Sequence, residues 1–291
     1  MNLRYHISRS IAWLLPDKLY LSIKYRTRFG YWMNWDNPKT FCEKIQWLKI
    51  YDRHPEYTKM VDKVAAKEYV ASIIGKKYII PTLAVYDSAD EIDFDKLPNR
   101  FVLKCTHDSG GIIVCRDKSK LGIEAARKKL RKGLKRTYII QNREYPYKKV
   151  PRKIIAEQYM EDESGCELKD YKFFCFDGRA EYCQVIANRH TDETIDFYDR
   201  NWKHQPFIGL SRTAHYAPIA HHAPTDYSKM LEIADCLSTQ INAPFVRVDL
   251  YNICGKIYFG EITFFPASGM GKFQPEEWDY KLGEMINLPK R

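Results

Sequence analysis

No stretch of this 291-residue sequence stays apolar for the roughly 20 residues that a membrane-spanning helix needs, which excludes a helical membrane protein. Its eight cysteines, at positions 42, 105, 115, 166, 175, 183, 236 and 254, form no CxxC pair, so neither a zinc ribbon nor a thioredoxin-like motif is indicated. Cys175 and Cys183 lie in apolar segments, where a thiol behaves as a small hydrophobe; the set reads as reduced core cysteines of a cytosolic protein. There is no GK[ST] loop and no Ser–His–Asp or Cys–His arrangement. A strand-borne DxD motif is also missing, the nearest being Asp93-Phe94-Asp95 in an acidic loop. Repeats, low-complexity tracts and long linkers are absent, so the parts of the chain are expected to fold against one another. The opening MNLRYHISRSIAWLLPDK is basic, then only briefly apolar before Pro16, Asp17 and Lys18, and lacks a small-residue cleavage site. It reads as a mature N-terminus and not a signal peptide.

Acidic residues are in deficit: 37 Asp and Glu against 47 Lys and Arg leave a net charge of +10. Much of the excess sits in residues 125–152, ARKKLRKGLKRTYIIQNREYPYKKVPRK. Two readings stand side by side, a solvated helix face and a docking site for an anionic ligand. Hydrophobic content of 45% and charged content of 29% are those of a globular chain with room for a sizeable core.

The first sixty residues read as helical and aromatic. Thr40 with Glu43 three residues on forms a capping box opening an amphipathic helix, whose stripe is Phe41, Ile45, Trp47, Leu48 and Tyr51. A preceding helix sets Arg4, Arg9, Lys18, Lys24, Arg26 and Arg28 around Ile11, Trp13, Leu14 and Leu15, a composition that would suit a membrane surface as a second reading. From Asp62 the pattern is mixed. VDKVAAKEYVASIIG reads as a helix ended by Gly75; IIPTLAVYD, FVLKC, IIVCRDK and KIIAEQYM read as strands. YKFFCFDGRAEYCQVIA is a hairpin turning at Asp177-Gly178, NRHTDETIDFYDRNW continues the sheet, and YSKMLEIADCLSTQI is a helix. FVRVDLYNICGKIYFGEITFF is a last hairpin around residues 252–255.

Chemistry concentrates in four places. In FVLKCTHDSGG a strand delivers Lys104, and the loop adds Ser109, Gly110 and Gly111, whose backbone N–H groups can approach a polyphosphate closely. An ordinary hairpin with an incidental lysine reads the same way, and His107 in this loop is expected to face solvent, with contact to phosphate or reactants as its other reading. On the final hairpin Asp249 and Glu261 fall on adjacent strands within apolar runs, where a shared Mg²⁺ would relieve their repulsion. Arg247, two residues from Asp249, shares its face, so an internal salt bridge is the competing account. Asp170 and Lys172 share a strand face, as a ribose acceptor beside a phosphate lysine or as a surface ion pair. Asp62-Lys63 opens a helix, which alone is ordinary.

The order of these pieces resembles the ATP-grasp superfamily, and more closely its TupA-like branch, associated with polysaccharide and teichuronopeptide biosynthesis. The segments that carry the resemblance are NPKTFCEKIQWLKIYDR, VDKVAAKEYV, FVLKCTHDSGG, ELKDYKFFCFDG and FVRVDLYNICGKIYFGEITFFPASG, which together run through most of the chain. It implies an α+β fold, two α+β lobes clasping ATP behind a helical N-terminal extension, divided at residues 1–60, 61–160 and 161–291. It also implies ATP and Mg²⁺ as cofactors, with Lys63 and Lys104 on the α- and β-phosphates and residues 106–111, including Ser109, Gly110 and Gly111, closing as a lid. Glu157 with the backbone of Tyr159 and Met160 would meet adenine, Asp170 the ribose, and Lys172 the phosphates. Asp249 and Glu261 would hold Mg²⁺, with Arg247 beside the reacting groups. Superfamily ligases commonly end E-x-N; here the third position is Thr263, a weaker ligand of shorter reach. Lys104, Lys172 and Arg247 are thereby the catalytic candidates, and Arg189, His190 and Arg212 candidates for gripping an anionic substrate.

The expected reaction is an ATP-dependent carboxylate–amine ligation through an acyl phosphate, on a uronic acid or other acidic glycan or peptide, in the cytoplasm or at the inner face of the membrane. Its partners would be a small-molecule or glycan carboxylate and an amine. A glycosyltransferase using a nucleotide sugar is the alternative. A basic module for nucleic acid would explain the charge but not Asp249 and Glu261, and nucleic acid is not an expected partner.

Overall fold

Apolar residues alternate along the strands, and that alternation decides which face of each sheet is covered. The computed structural model describes residues 14–108, 110–162, 168–188, 192–210 and 215–290. A four-stranded antiparallel sheet contains β1 (Thr82–Tyr86), β2 (Phe101–Cys105), β3 (Ile112–Cys115) and β4 (Ile154–Gln158), in the order β1-β4-β2-β3. On β2, Phe101, Leu103 and Cys105 point to one face and are buried, together with Ala126 and Leu130 of helix α5 (Ile123–Leu134). Lys104 therefore points to the other face, away from α5.

A six-stranded sheet, ordered β11-β10-β5-β6-β7-β8, holds the remaining long strands. These are β5 (Asp170–Phe176), β6 (Arg179–Ala187), β7 (Thr194–Asp199), β8 (His204–Gln205), β10 (Phe245–Ile253) and β11 (Lys256–Thr263). A small pair, β9 (Ile208–Gly209) and β12 (Phe273–Gln274), lies beside it. Strand β5 is buried at every residue because both of its faces are covered. Phe174 meets Phe41 of helix α2 (Phe41–Tyr51), while Phe173 stacks on Tyr227 of helix α7 (Tyr227–Ile241). The expected hairpin between β5 and β6 turns at Asp177 and Gly178, with φ of 45° and 86°, the doubly left-handed turn that suits strand twist.

The N-terminal helices α1 (Asp17–Phe29) and α2 join the core of the six-stranded sheet. The capping box forms as expected: Thr40 accepts from the Glu43 amide, and the Glu43 carboxylate accepts from the Thr40 amide. The start of the proposed membrane-facing helix, with Arg4, Arg9, Ile11 and Trp13, lies outside the described residues. No helix among the described residues is long and apolar enough to cross a membrane.

The helix expected from residue 62 breaks instead. Helix α3 (Tyr57–Val61) ends, Asp62 turns extended and caps the Val64 amide with its side chain, and α4 (Ala65–Ile74) begins three residues later. Lys63 sits in this break. The basic run is likewise three pieces: α5, the short α6 (Tyr138–Asn142) and a 3₁₀ turn over Tyr145–Lys149. Its arginines are committed locally. Arg127 donates to the Ala89 and Ile92 carbonyls and Arg131 pairs with Asp90, while Lys128, Lys129, Lys132 and Lys135 stay exposed.

Candidate functional site

The hairpin of β10 and β11 places Asp249 directly opposite Glu261, and β10 with β5 places Asp249 opposite Lys172. Between Asp249 and Leu250 the β10–β11 register slips, leaving Gly260 as the extra residue of a bulge. The slip switches the buried parity on β11 from Ile257 and Phe259 to Ile262, which turns Glu261 and Thr263 outward. A side chain at 260 would be tight, since a Cβ there would come within 3.1 Å of the Asp249 carbonyl and the Tyr251 ring.

Arg247 ties this floor together. Its Nε donates to Asp249 Oδ1 at 2.6 Å, and its Nη2 donates to Asp249 Oδ2 at 2.8 Å, Glu261 Oε1 at 2.9 Å and Thr263 Oγ1 at 3.1 Å. Lys172 pairs with Asp249 and lies 3.7 Å from Asp170. Both the metal reading and the salt-bridge reading therefore have their residues in contact, and the Asp170–Lys172 pair is buried rather than on the surface. The two acids differ in access: the Glu261 side chain is 48% exposed and that of Asp249 is 2%. Burial alone would raise the Glu261 carboxyl, but Lys172, Arg247 and Lys63 outweigh it and hold it at about 2. Asp249 moves the other way, pushed up by full burial against the pull of Arg247 and Lys172.

The second group comes from the four-stranded sheet. Glu157 on β4 is buried and accepts from Lys104 at 2.8 Å and from Lys67 of α4. Burial would raise its carboxyl, yet the two ammonium groups hold it below its ordinary value. Lys63, from the break before α4, donates to the Asp108 carbonyl at 3.0 Å, and burial lowers its ammonium while Glu261 opposes the shift. Lys63, Asp108, Arg247, Glu261 and Thr263 line one cleft of about 790 Å³. The cleft thus joins Lys63 and the loop after β2 to the β10–β11 hairpin.

Other expected residues are placed less centrally. Gly111 packs against Cys105 and Gly133, where an added Cβ would come within 2.6 Å of the Cys105 sulfur, so its lack of a side chain serves α5 packing. Gly110 sits by Arg136, which bonds Asp108 at 2.9 Å. Tyr159 and Met160 continue the chain past β4, and the Arg100 guanidinium lies 4.2 Å from the Tyr159 ring centre. His107 corrects an expectation: it is 4% exposed, because the end of α5 folds over it and its Nε2 meets the Arg136 carbonyl at 3.2 Å. Ser109, Arg189, His190 and Arg212 lie outside the described residues. In the rival motif, Phe94 plugs the core while Asp93 and Asp95 stay at the surface.

Sequence reasoning missed Lys67, Asp108, Tyr251 and Glu144. A helical lysine or a glutamate within a basic run carries no local sign of burial. Tyr251 had one signal, its place on the strand face of Arg247 and Asp249.

A comparison with curated proteins finds no match. Among solved structures, the D-alanine–D-alanine ligase from Bacillus anthracis complexed with ATP is similar at 14% identity and a TM-score of 0.46, over 78% of this chain and 64% of that one. The L-amino acid ligase from Bacillus licheniformis is similar at 12% identity and a TM-score of 0.48, over 86% of this chain and 56% of that one. The chain thus spans less than two thirds of the length of either protein. The TupA-like ATPgrasp family matches residues 43–287, and the chain belongs to that family.

Proposed function

We propose that this ATP-grasp ligase is a carboxylate–amine ligase that forms an amide through an acyl phosphate on a uronic acid or another acidic glycan or peptide of cell-surface polysaccharide. The observation that supports it most is the meeting of Lys63 with Glu261 and Arg247 along one cleft. ATP-grasp ligases use ATP with Mg²⁺. Bound there, ATP would supply the phosphoryl group that activates a carboxylate, and Mg²⁺ would neutralise the phosphate oxygens.

The residues present fit such a cation. Among the described residues no three His, Cys, Asp or Glu side chains converge as a metal site of their own. Mg²⁺ needs only one or two carboxylates when phosphates complete its shell. Glu261 meets that need, being ionised, half-exposed and held by Arg247 and the Thr263 hydroxyl. Asp249 would join it only by loosening Arg247 or Lys172, and Thr263 would act through its hydroxyl.

In this reading Lys63, Lys104 and Lys172 neutralise the nucleotide phosphates, and residues 106–111, with Ser109, Gly110 and Gly111, close over them. Glu157, Tyr159 and Met160 border the base, and Asp170 the ribose. Arg247 neutralises the charge that collects as the substrate carboxylate attacks the γ-phosphorus and ADP leaves. Phosphoryl transfer asks chiefly for this positioning and neutralisation. An amine then attacks the acyl carbon and phosphate departs. The exposed Lys128, Lys129, Lys132 and Lys135 suit an acidic acceptor. A location in the cytoplasm at the inner membrane face is supported by the exposed Leu14, Leu19, Ile23 and Trp32 beside Lys18 and Arg26.

Calorimetry tests the nucleotide site. ATP is expected to bind only with Mg²⁺, and Lys104→Ala and Glu261→Ala to weaken it at least about tenfold, roughly 1.4 kcal/mol. Adding hydroxylamine, which traps acyl phosphates, to a panel of uronic acids should then release ADP and form a hydroxamate. Binding of UDP-sugars in place of ATP would overturn the ligase and support the glycosyltransferase.

A further inference from the structure

The cleft has an end that phosphoryl transfer leaves unused. Beyond Arg247, Glu261 and Thr263 it runs past Lys24 and Arg28 of α1, Asn142 and Glu144 after the basic helix, and Ser268 in the turn after β11. Glu144 is 3% exposed, and its Oε1 has no hydrogen-bond partner among the described residues. A buried acceptor left without a donor is costly, and more so if it is charged.

Its neighbours do not relieve it. The buried Lys49 ammonium faces Gln46 Oε1 at 3.2 Å, the Asn142 carbonyl at 3.0 Å, and the Ser268 carbonyl and hydroxyl at 2.8 and 2.7 Å. That is already more acceptors than an ammonium has protons. Lys24 donates to the Gln141 carbonyl at 2.8 Å and to Asn142 Oδ1 at 3.1 Å. Glu144 meets only the Ser268 hydroxyl and the fields of Lys49 and Lys24, while burial pushes its carboxyl up.

The wall opposite is held stiffly. Ala267 and Ser268 adopt left-handed conformations, φ 45° and 57°, which non-glycine residues hold only where their surroundings enforce them. Lys49 pins this turn, as does Gln46 Nε2 through the Ser268 and Gly269 carbonyls at 2.9 and 2.8 Å. Arg28 spends its Nε on the Met270 carbonyl at 2.9 Å, and its terminal nitrogens have no partner among the described residues. A carboxylate oxygen lacking a donor thus shares the cleft with a guanidinium whose terminal nitrogens have no partner among the described residues.

We propose that this end of the cleft binds the amine substrate, with Glu144 receiving its ammonium group and Arg28 and Lys24 an anionic group on the same molecule. The amine is then an amino acid or a compound of the same charge pattern. The assignment rests on the ligase reading above. Before attack, one ammonium proton passes to Glu144, which frees the nitrogen lone pair. The pair bonds to the acyl carbon, the carbon–oxygen bond to phosphate breaks, and the departing phosphate takes a second nitrogen proton. Glu144 then returns its proton to solvent.

The test uses the full chain with ADP and Mg²⁺ and a panel of the common amino acids, their N-acetyl derivatives and their amides, with binding followed by calorimetry. At least one amino acid is expected to bind, and to lose at least about tenfold in affinity on N-acetylation and in Glu144→Gln, and a similar factor as its amide or in Arg28→Ala. In turnover, Glu144→Gln should slow the amino-acid-driven reaction at least about tenfold more than the hydroxylamine-driven one, because hydroxylamine is already neutral. Mg²⁺·ATP binding in each variant reports that it is folded. If Glu144→Gln does not fold, Arg28→Ala, at an exposed position, carries the decision alone. Failure of every amino acid to bind a wild type that binds Mg²⁺·ATP overturns this inference and leaves the ligase standing, as does equal slowing of both reactions. Failure of ATP itself to bind removes the ligase reading instead.

Discussion

Lys104 and Lys67 meet the same carboxylate, yet they should respond differently to removal. Lys67 also donates to the Ile80 carbonyl at 2.7 Å and to Thr82 at 3.1 Å, so it ties α4 to the start of β1. Lys104 bonds Glu157 alone among the described residues and is 24% exposed. Lys67→Met should destabilise the fold by about 2 kcal/mol, read from urea midpoints, with a smaller effect on nucleotide affinity. Lys104→Met should do the reverse, and equal effects on stability would show that both lysines are structural.

Asp279 gives a prediction about pH. It lies in helix α8 (Glu277–Glu284), where its Oδ1 accepts from the Cys42 amide at 2.9 Å. Burial raises its carboxyl to about 6, although hydrogen bonds from Cys42 and Thr40 oppose the rise. A folded-state value above the unfolded one means that the native state binds the proton more tightly. The contribution is therefore full below about pH 4 and is lost as pH rises through about 6. Asp279→Asn keeps an oxygen for the Cys42 amide and removes the titration. Relative to wild type, it should gain about 2 kcal/mol between pH 4 and pH 7.5. Parallel urea curves at the two pH values would refute the assignment.

Elements show why some of the site was legible and some was not. The Thr40–Glu43 box, the Asp177-Gly178 turn and the pairing of Asp249 with Glu261 are local patterns, and the structure contains all three. The bulge at Gly260 had a trace in the sequence too, since apolar residues shift from 257 and 259 to 262 and 264. By contrast, the break at residues 62–64, the burial of His107 and the partners of Glu157 depend on segments far along the chain. The clearest dependence is where α5 meets the loop after β2. A Cβ on Gly133 would come within 2.7 Å of the Cys105 sulfur and 3.4 Å of the Gly111 backbone. In an exposed helix Gly→Ala would stabilise by up to about 1 kcal/mol. Here Gly133→Ala should instead destabilise by about 1–2 kcal/mol and shift the loop, weakening Mg²⁺·ATP binding several-fold. Unchanged affinity would mean that the loop moves independently of α5.

At the scale of the whole molecule the apolar residues form two clusters of unequal size. The larger unites the six-stranded sheet with α1, α2 and α7, while the smaller holds only the four-stranded sheet, α5 and the loop around Phe94. Stability in a protein is spread according to such packing, and the unit with less buried apolar surface opens at lower free energy. Hydrogen exchange should therefore find the amides of β2 and β3 less protected than those of β5 and β10. In the proposed reading, a nucleotide held between Lys104 and Glu261 would add its binding energy to any opening that separates them. At about 100 times its dissociation constant that is about 2.7 kcal/mol. The protection of β2 and β3 should rise toward that of the larger core when Mg²⁺·ATP is added, whereas β5 should gain less. An equal gain in every strand would instead mean that the two sheets already open as one unit before the ligand arrives.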